Sequence, residues 1–295
     1  MKHLENKTKG QLGFTLIELS IVLVIIGLIV GGVLVGQDLI RAAEIRATVS
    51  QLEKYNSAVN TFRGKYNALP GDINCQYAFQ FGFTAGQTGS CTGTMVGTAG
   101  LEDGNGLIEA TGGGNAVNIA AGTGFSGEEV MFWNHLTVAN LLDGNFSSTA
   151  AAVSTTVVQP AAATTVATTN LWIPPAKMGR GNNFAVFAQK GINYFEISGF
   201  NTLNAGAIAE TNAMTPIEAR NIDAKIDDGL PLSGVVMAAG TGGLMAAPIT
   251  GAVGTTGNCG TGTAPSTTYD VSANGAGAGG NPGNQTNCGI YVRFN

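Results

Sequence analysis

Gly13 to Val35 read GFTLIELSIVLVIIGLIVGGVLV, an almost unbroken apolar run in which Glu18 is the one charged residue. About 20 apolar residues are enough to span a bilayer as an α-helix. A carboxylate inside such a run costs roughly 2.5–3.5 kcal/mol unless it is paired, so Glu18 indicates a function. The preceding residues, MKHLENKTKGQLG, contain three lysines. Basic residues keep one end of a membrane span cytoplasmic, so the chain after the run is predicted to lie across the membrane.

The order of these features differs from that of a secretory signal peptide. In a signal peptide, the cleavage site follows the apolar region, behind small residues. Here the junction Gly13–Phe14 precedes the apolar run, so that cleavage would leave the helix on the mature protein. The alternative interpretation is a plain membrane anchor whose Glu18 lies near the lipid head groups.

The segment GFTLIEL at residues 13–19 resembles the class III leader of type IV pilins and type II secretion pseudopilins, most specifically over residues 10–35. The resemblance implies that prepilin peptidase cuts after Gly13 and methylates the new amine of Phe14. It also implies that Glu18 neutralises the Phe14 amine of a neighbouring subunit during assembly. The implied partners are other pilin or pseudopilin subunits, the peptidase, an inner-membrane assembly platform and the membrane. The implied location is the bacterial inner membrane, with a periplasmic C-terminal domain, and a filament after assembly.

The composition suits a loop-rich, surface-exposed protein. Of 295 residues, 44 are glycine, 7% are aromatic and 11% are charged, values that are unusual for a compact cytosolic enzyme. Removal of residues 1–13 takes away three lysines and one glutamate, which lowers the net charge from −5 to −7. This acidity argues against nucleic-acid binding, which needs clustered Lys and Arg.

The four cysteines are Cys75, Cys91, Cys259 and Cys288. They form no CxxC pair and the chain has only two histidines, so a zinc site is not predicted. An even number of cysteines beyond an export anchor indicates disulfides, and proximity along the chain favours Cys75–Cys91 and Cys259–Cys288. Reduced cysteines in the core are the alternative.

A helical pattern continues beyond the apolar run. Apolar or aromatic side chains recur every three or four residues from Ile45 to Tyr66, which predicts one buried face on a helix that Gly64 and Pro70–Gly71 terminate. Two helices broken near Gly31–Gly32 are the alternative. The predicted fold is α+β and pilin-like, with the long helix packed on a C-terminal antiparallel sheet that carries extra helices and long loops. The predicted domains are a leader (1–13), a transmembrane and assembly helix (14–35), its amphipathic continuation (36–66), and a globular domain (67–295) with low-complexity loops at 147–170 and 239–287.

A short acidic segment, LEDGNGLIE at residues 101–109, suggests a metal site. Oxygen-bearing side chains at Asp103, Asn105 and Glu109 follow part of the spacing of a calcium loop. The full EF-hand pattern is absent, because its twelfth position is Gly114. The alternatives are therefore a weak calcium site and a plain Asx/Gly turn, and no other cofactor is predicted.

Several later elements follow from local patterns. Ser126 and Glu129 predict a capping box for a helix through VMFWNHLTVANLL, which contains His135 as a hydrogen-bonded structural residue. A hairpin is predicted with strands near Phe184–Gln189 and Ile192–Ser198. A helix should begin at Thr215–Pro216 and run to Asp228, and strands should follow at 234–238 and 290–294.

Three classes of function are consistent with the sequence. The first is a structural filament subunit, and the segments LPGD (69–72), FWNHLTVANLLDGNF and IDAKIDDGLP resemble large pseudopilin-like proteins, which favours type II secretion over a type IV pilus. The second is a minor pilin or filament-borne adhesin that binds through its polar loops. The third is a membrane-anchored periplasmic enzyme, which is disfavoured because the sequence has no GxSxG elbow, metal-ligand cluster or paired catalytic carboxylates.

Overall fold

The computed structural model describes residues 14–83, 102–110, 125–147, 166–204, 207–211, 213–239, 259–261, 268–269, 286 and 288–294. The chain divides into two compact units, Met1–Ala43 and Glu44–Asn295. The helices in these ranges are α1 (Leu16–Tyr66), α2 (Cys75–Gln80), α3 (Glu128–Val138), α4 (Val166–Thr169) and α5 (Pro216–Ile226). The strands are β1 (Asn182–Gln189), β2 (Ile192–Asn204), β3 (Ala207–Thr211), β4 (Val236–Ala239), β5 (Gly260–Thr261), β6 (Thr268–Tyr269) and β7 (Gly289–Phe294).

Helix α1 is continuous over 51 residues, so the predicted long helix is confirmed and a break at the glycines is not found. From Ile45 onward the helix buries one face, as the spacing of its apolar residues predicts. Its buried residues are Ile45, Thr48, Leu52, Tyr55, Ala58, Val59 and Phe62.

The sheet is antiparallel and is built around β2. Among the described residues, β2 pairs with β1, with β7 and with β3. Strand β4 pairs with β7. The β1–β2 hairpin turns at Lys190 and Gly191, whose φ angles of +50° and +77° place both residues in the left-handed region that two-residue hairpins require. A long helix with an antiparallel sheet and additional helices confirms the predicted α+β, pilin-like fold.

The core lies between the second half of α1, helix α3 and the sheet. The ring of Tyr55 lies 4.9 Å from Trp133 of α3 and 5.0 Å from Phe184 of β1, edge to face in both cases. Gln51 donates to the carbonyl of Pro175 and accepts from the amide of Lys177. Aromatic packing therefore holds α1 to α3 and β1, and the side chain of Gln51 holds it to the backbone of the segment that leads into β1.

Helix α3 differs from its prediction at both ends. Gly127, with a φ of +60°, occupies the N-cap and makes no side-chain hydrogen bond, so the predicted Ser126–Glu129 capping box is wrong. The helix ends at Val138 rather than near Asp143, because the chain turns at Asn140 into the left-handed region. Glu129 is instead buried within the domain.

Helix α5 forms as its first residues predict. Thr215 accepts from the amide of Glu218, whose carboxylate accepts from the amide of Thr215, so the capping box is complete. The predicted low-complexity loops lie partly outside the described residues. In their described parts, α4 falls within 147–170, and the paired strands β5 and β6 fall within 239–287.

Candidate functional site

The first part of α1 presents apolar side chains to its surroundings. Helix α1 is long and apolar enough to cross a membrane. Large apolar residues from Leu16 to Ile40 are exposed, and Phe14, just before the helix, is 83% exposed. Gly13, the predicted cleavage residue, lies outside the described residues. An apolar surface of this length needs lipid or other apolar helices around it.

Glu18 closes a capping box at the start of α1. One of its carboxylate oxygens, Oε2, accepts hydrogen bonds from the backbone amide and the hydroxyl of Thr15, both at 2.7 Å. The Thr15 hydroxyl in turn accepts from the amide of Glu18 at 3.3 Å. The box satisfies amide groups that the start of a helix leaves without partners, and Glu18 remains exposed.

The glycines of this helix leave room for close neighbours. A Cβ atom added to Gly27, Gly31, Gly32 or Gly36 would meet no other atom within 4 Å. Glycines spaced four residues apart allow two helices to approach until their backbones are in contact. The surface is therefore suited to packing against other apolar helices.

A second group of polar residues lies in the globular unit, at the turn that follows α1. Gly71 has a φ of +88°, and its amide donates to Nδ1 of His135 in α3 at 3.0 Å. A Cβ atom at Gly71 would collide with the carbonyl oxygen of Glu128, so only glycine fits against α3 at this position. His135 is fully buried and hydrogen-bonded, which confirms its predicted structural role.

Two buried carboxylates hold the 102–109 segment. Asp72 accepts from the amides of Gly104 and Gly106, both at 2.7 Å. Glu128 accepts from the amide of Glu102 at 2.7 Å and from that of Glu109 at 2.9 Å. These bonds bring the turn after α1 and the N-terminus of α3 together around one acidic segment.

The acidic side chains of these three segments form an acidic cluster, which comprises Asp72, Asp103, Glu109, Glu128 and Glu129. Carboxylate oxygens of Asp72, Asp103 and Glu128 all lie within 4.8 Å of one another. Burial raises the pKa of Asp72 to about 7. The hydrogen bonds from Gly106 and Gly104 oppose this rise, and the charge of Asp103 adds to it. Burial and the charge of Asp72 raise the pKa of Glu128 well above its ordinary value.

Glu129, the residue after Glu128, is also buried. Its side chain is 1% exposed, and neither carboxylate oxygen has a hydrogen-bond partner. Burial, and then the charge of Glu109, raise the pKa of Glu129 well above its ordinary value. The outer side of the cluster opens into a cleft of about 890 Å³, whose lining includes Asp72, Asp103, Arg63 and Arg293.

The three residues predicted to bind calcium lie side by side. The amide nitrogen of the Asn105 side chain donates to Asp103 at 2.9 Å and to Glu109 at 3.2 Å, and its oxygen accepts from the amide of Leu107. Asp103 also accepts from the amide of Asn105, which makes an Asx turn. Sequence reasoning missed Asp72, Glu128 and Glu129, because the contacts that join them to the segment span 19 to 34 residues.

The disulfides were also predicted from spacing. The structure contains the bond between Cys259 and Cys288, the pairing that proximity along the chain favours. Cys75, the first residue of α2, is also disulfide-bonded. Cys91, its predicted partner, lies outside the described residues. The bond at Cys288 ties the short strand β5 to the segment that enters β7.

Comparison with known proteins identifies the N-terminal segment. Residues 8–34 match the prokaryotic N-terminal methylation motif. No curated protein and no solved structure matches the chain. The motif covers the junction Gly13–Phe14 and Glu18, and it belongs to membrane-anchored subunits that are processed by prepilin peptidase and assemble with one another. This match supports the resemblance of the N-terminal segment to type IV pilins and pseudopilins.

Proposed function

We propose that this protein is a pseudopilin, a structural subunit of the periplasmic filament of a type II secretion system. The observation that carries the proposal is the N-terminal methylation motif on a helix whose apolar surface is exposed from Leu16 to Ile40. The resemblance of LPGD and IDAKIDDGLP to large pseudopilin-like proteins favours the secretion filament over a type IV pilus. In this role the N-terminus is cytoplasmic before processing and the globular unit is periplasmic.

Assembly is driven by the apolar helices. Residues 14–43 bury almost no surface within the chain, so lipid covers them in the membrane and the helices of other subunits cover them in a filament. In a filament, one surface of each subunit packs against a different surface of the next subunit. Such a head-to-tail interface generates a fibre when it does not close into a ring. The four unobstructed glycines, Gly27 to Gly36, let those helices pack closely.

Glu18 sets the register of this packing. Cleavage after Gly13 creates a charged amine on Phe14, in the same apolar surroundings as the carboxylate. A lone carboxylate there costs roughly 2.5–3.5 kcal/mol, and pairing with an amine of the neighbouring subunit removes most of that cost. Within one subunit, Glu18 already accepts two hydrogen bonds from Thr15, so the carboxylate is held at the helix surface where a neighbour can reach it.

Mass spectrometry of protein purified from native membranes tests the processing step. The expected mature chain begins at N-methylated Phe14. A chain that retains Met1, or one cut after residue 35, would refute the filament function.

Substitution of Glu18 tests the assembly step. Glu18→Ala should insert into the membrane normally and lose most of its filament yield, because the Phe14 amine is left without a partner. Ser20→Ala is the matched control: Ser20 is a polar residue of the same segment whose hydroxyl donates only to the carbonyl of Ile17. Filament yield that is equal in the two variants would exclude the pairing role of Glu18.

Deletion of the gene separates secretion from piliation. The pseudopilin assignment predicts that the deletion strain retains its secreted enzymes in the periplasm and keeps its surface fibres. Loss of surface fibres with unchanged secretion would instead assign the protein to a type IV pilus.

A further inference from the structure

We infer that the cleft beside the end of α1 is a binding site for an oligosaccharide, a short chain of hexopyranose rings. The cleft has a volume of about 890 Å³ and is lined by residues from the end of α1, from α2, from the 102–109 segment and from the end of β7. This volume lies within the range of about 300–1,000 Å³ that is typical of small-molecule sites. The inference concerns the globular unit alone and goes beyond the filament function.

Aromatic side chains of α2 are exposed at the cleft. Tyr77 and Phe81 both line it, and they are 58% and 51% exposed. The amide of Phe81 donates to the carbonyl of Tyr77, so the two residues are one helical turn apart and their side chains lie on the same side of α2. Large rings that are exposed together on one face indicate an interaction site.

The ring of Tyr66 gives the cleft a fixed aromatic wall. Its centroid lies 4.6 Å from that of Phe62, 4.9 Å from that of Phe83 and 5.1 Å from that of Phe81. The face of an aromatic ring carries partial negative charge, and the C–H bonds on one face of a sugar ring carry partial positive charge, so the two rings stack. Because packing already holds Tyr66 in place, a ligand that stacks there orders few further side chains.

The polar lining of the cleft offers both hydrogen-bond donors and hydrogen-bond acceptors. The guanidinium groups of Arg63 and Arg293 are donors, and the carboxylates of Asp72 and Asp103 are acceptors. The side-chain amide of Asn67 supplies one group of each kind. A sugar hydroxyl donates one hydrogen bond and accepts up to two, so it uses both kinds of partner at once.

The charges of the lining favour a neutral ligand over an ion. An anion in the cleft would meet Asp72 and Asp103, and a cation would meet Arg63 and Arg293. Among the described residues, neither arginine forms an ion pair, so both guanidinium groups are available to a ligand. A neutral polyhydroxyl chain is the ligand that exposed aromatic rings and mixed charges serve together.

Isothermal titration calorimetry of the full-length protein, solubilised in a detergent without a sugar head group, tests the inference. The probes are cellohexaose, which has no acetamido groups, and the hexamer of N-acetylglucosamine, which has one on each ring. We expect saturable binding of at least one of the two. Preference for the acetylated chain would indicate cell-wall glycan as the source, and preference for cellohexaose would indicate a polysaccharide outside the cell. Absence of binding by both would overturn the inference.

Tyr77→Ala is the decisive variant, because this exposed ring can be removed without opening the core. We expect the hexasaccharide to bind at least about tenfold more weakly, since the stacked ring and its buried area are lost. Phe79→Ala is the matched control: Phe79 lies in the same helix and is 52% exposed, but it is not among the residues that line the cleft. Its affinity should equal that of the wild type. Unchanged affinity in Tyr77→Ala, or equal weakening in the two variants, would overturn the inference.

Sodium sulfate separates a sugar site from an anion site. Guanidinium groups bind such anions through paired hydrogen bonds, so an anion site at Arg63 and Arg293 would take up sulfate. We expect no saturable binding of sulfate and no competition with the hexasaccharide, whereas displacement of the sugar by sulfate would refute the inference. All of these measurements use solubilised monomers. A failure here therefore leaves the filament function intact, and Glu18→Ala, which tests that function, should leave the affinity for the sugar unchanged.

Discussion

Replacement of Tyr55 by alanine should lower the free energy of unfolding of the globular unit by about 3–5 kcal/mol. Tyr55 is 6% exposed, and its ring contacts Trp133 at 4.9 Å, Phe184 at 5.0 Å and Phe195 at 6.3 Å between centroids. Burial of a ring of this size contributes about 1.5–3 kcal/mol. Each edge-to-face pair adds about 0.5–1.5 kcal/mol, so the two closest pairs account for the rest.

Tyr55→Phe is the control that separates the ring from the hydroxyl. The hydroxyl accepts from Gln51 at 2.6 Å, and the same Gln51 nitrogen also donates to the carbonyl of Pro175. Loss of the hydroxyl therefore leaves Gln51 with its other partners, and the expected cost is about 0.5–1.5 kcal/mol.

Urea unfolding in detergent, followed by tryptophan fluorescence, measures both variants, since Trp133 lies in the same contact. A loss below about 1 kcal/mol for Tyr55→Ala, or equal losses for alanine and phenylalanine, would show that this ring does not anchor α1 to the domain.

Three further predictions concern the globular unit. Burial, partly opposed by a hydrogen bond from the hydroxyl of Tyr269, raises the pKa of Asp223 to about 6. The folded state therefore binds this proton more tightly than the unfolded state does, and stability should fall as pH rises from about 4 to 6. Asp223→Asn should remove this part of the pH profile in urea titrations, and an unchanged profile would disprove the assignment. Thr215→Ala removes the N-cap of α5 and should lower the free energy of unfolding by about 1 kcal/mol. The measurement is hydrogen exchange, in which the amides of the first turn of α5 should lose protection. The double variant Cys259→Ser, Cys288→Ser opens a loop of 29 residues, so its free energy of unfolding should be lower by about 3–4 kcal/mol. Equal stability of the oxidised wild type and the variant would contradict this expectation.

The sequence predicts those elements whose patterns are local and long. The second half of α1 buries every third or fourth residue, the hairpin around Lys190–Gly191 has the turn residues that it needs, and α5 carries a complete capping box. In each case one stretch of chain contains both the side chains and the geometry that they stabilise. Propensity and periodicity are therefore sufficient.

Elements that depend on contacts between residues far apart in the sequence could not be predicted in this way. Strands β5 and β6 have two residues each, too few for an alternation pattern, and the disulfide at Cys259 ties β5 to the end of the chain. The start of α3 is a similar case. Ser126 and Glu129 have the spacing of a capping box, but burial of Glu129 in the acidic cluster determines its position instead. Tertiary contacts override the local pattern here.

The candidate sites divide in the same way. Phe14 and Glu18 could be singled out from sequence because they lie within one motif. The acidic cluster could be found only in part, since Asp103 lies in a recognisable loop whereas Asp72 and Glu128 reach it from separate elements. A local spacing rule cannot detect a group of carboxylates that only the fold brings together.

The acidic cluster also explains how a glycine-rich segment acquires a defined structure. The 102–109 segment contributes one fully buried apolar side chain, Ile108, which is too little to order eight residues by the hydrophobic effect alone. Its backbone amides donate instead to the carboxylates of Asp72, in the turn after α1, and of Glu128, in α3, which together accept four hydrogen bonds. These four hydrogen bonds therefore order the segment. The amides of Gly104 and Gly106 should therefore be protected from hydrogen exchange, and fast exchange at both would show that these bonds do not order the segment.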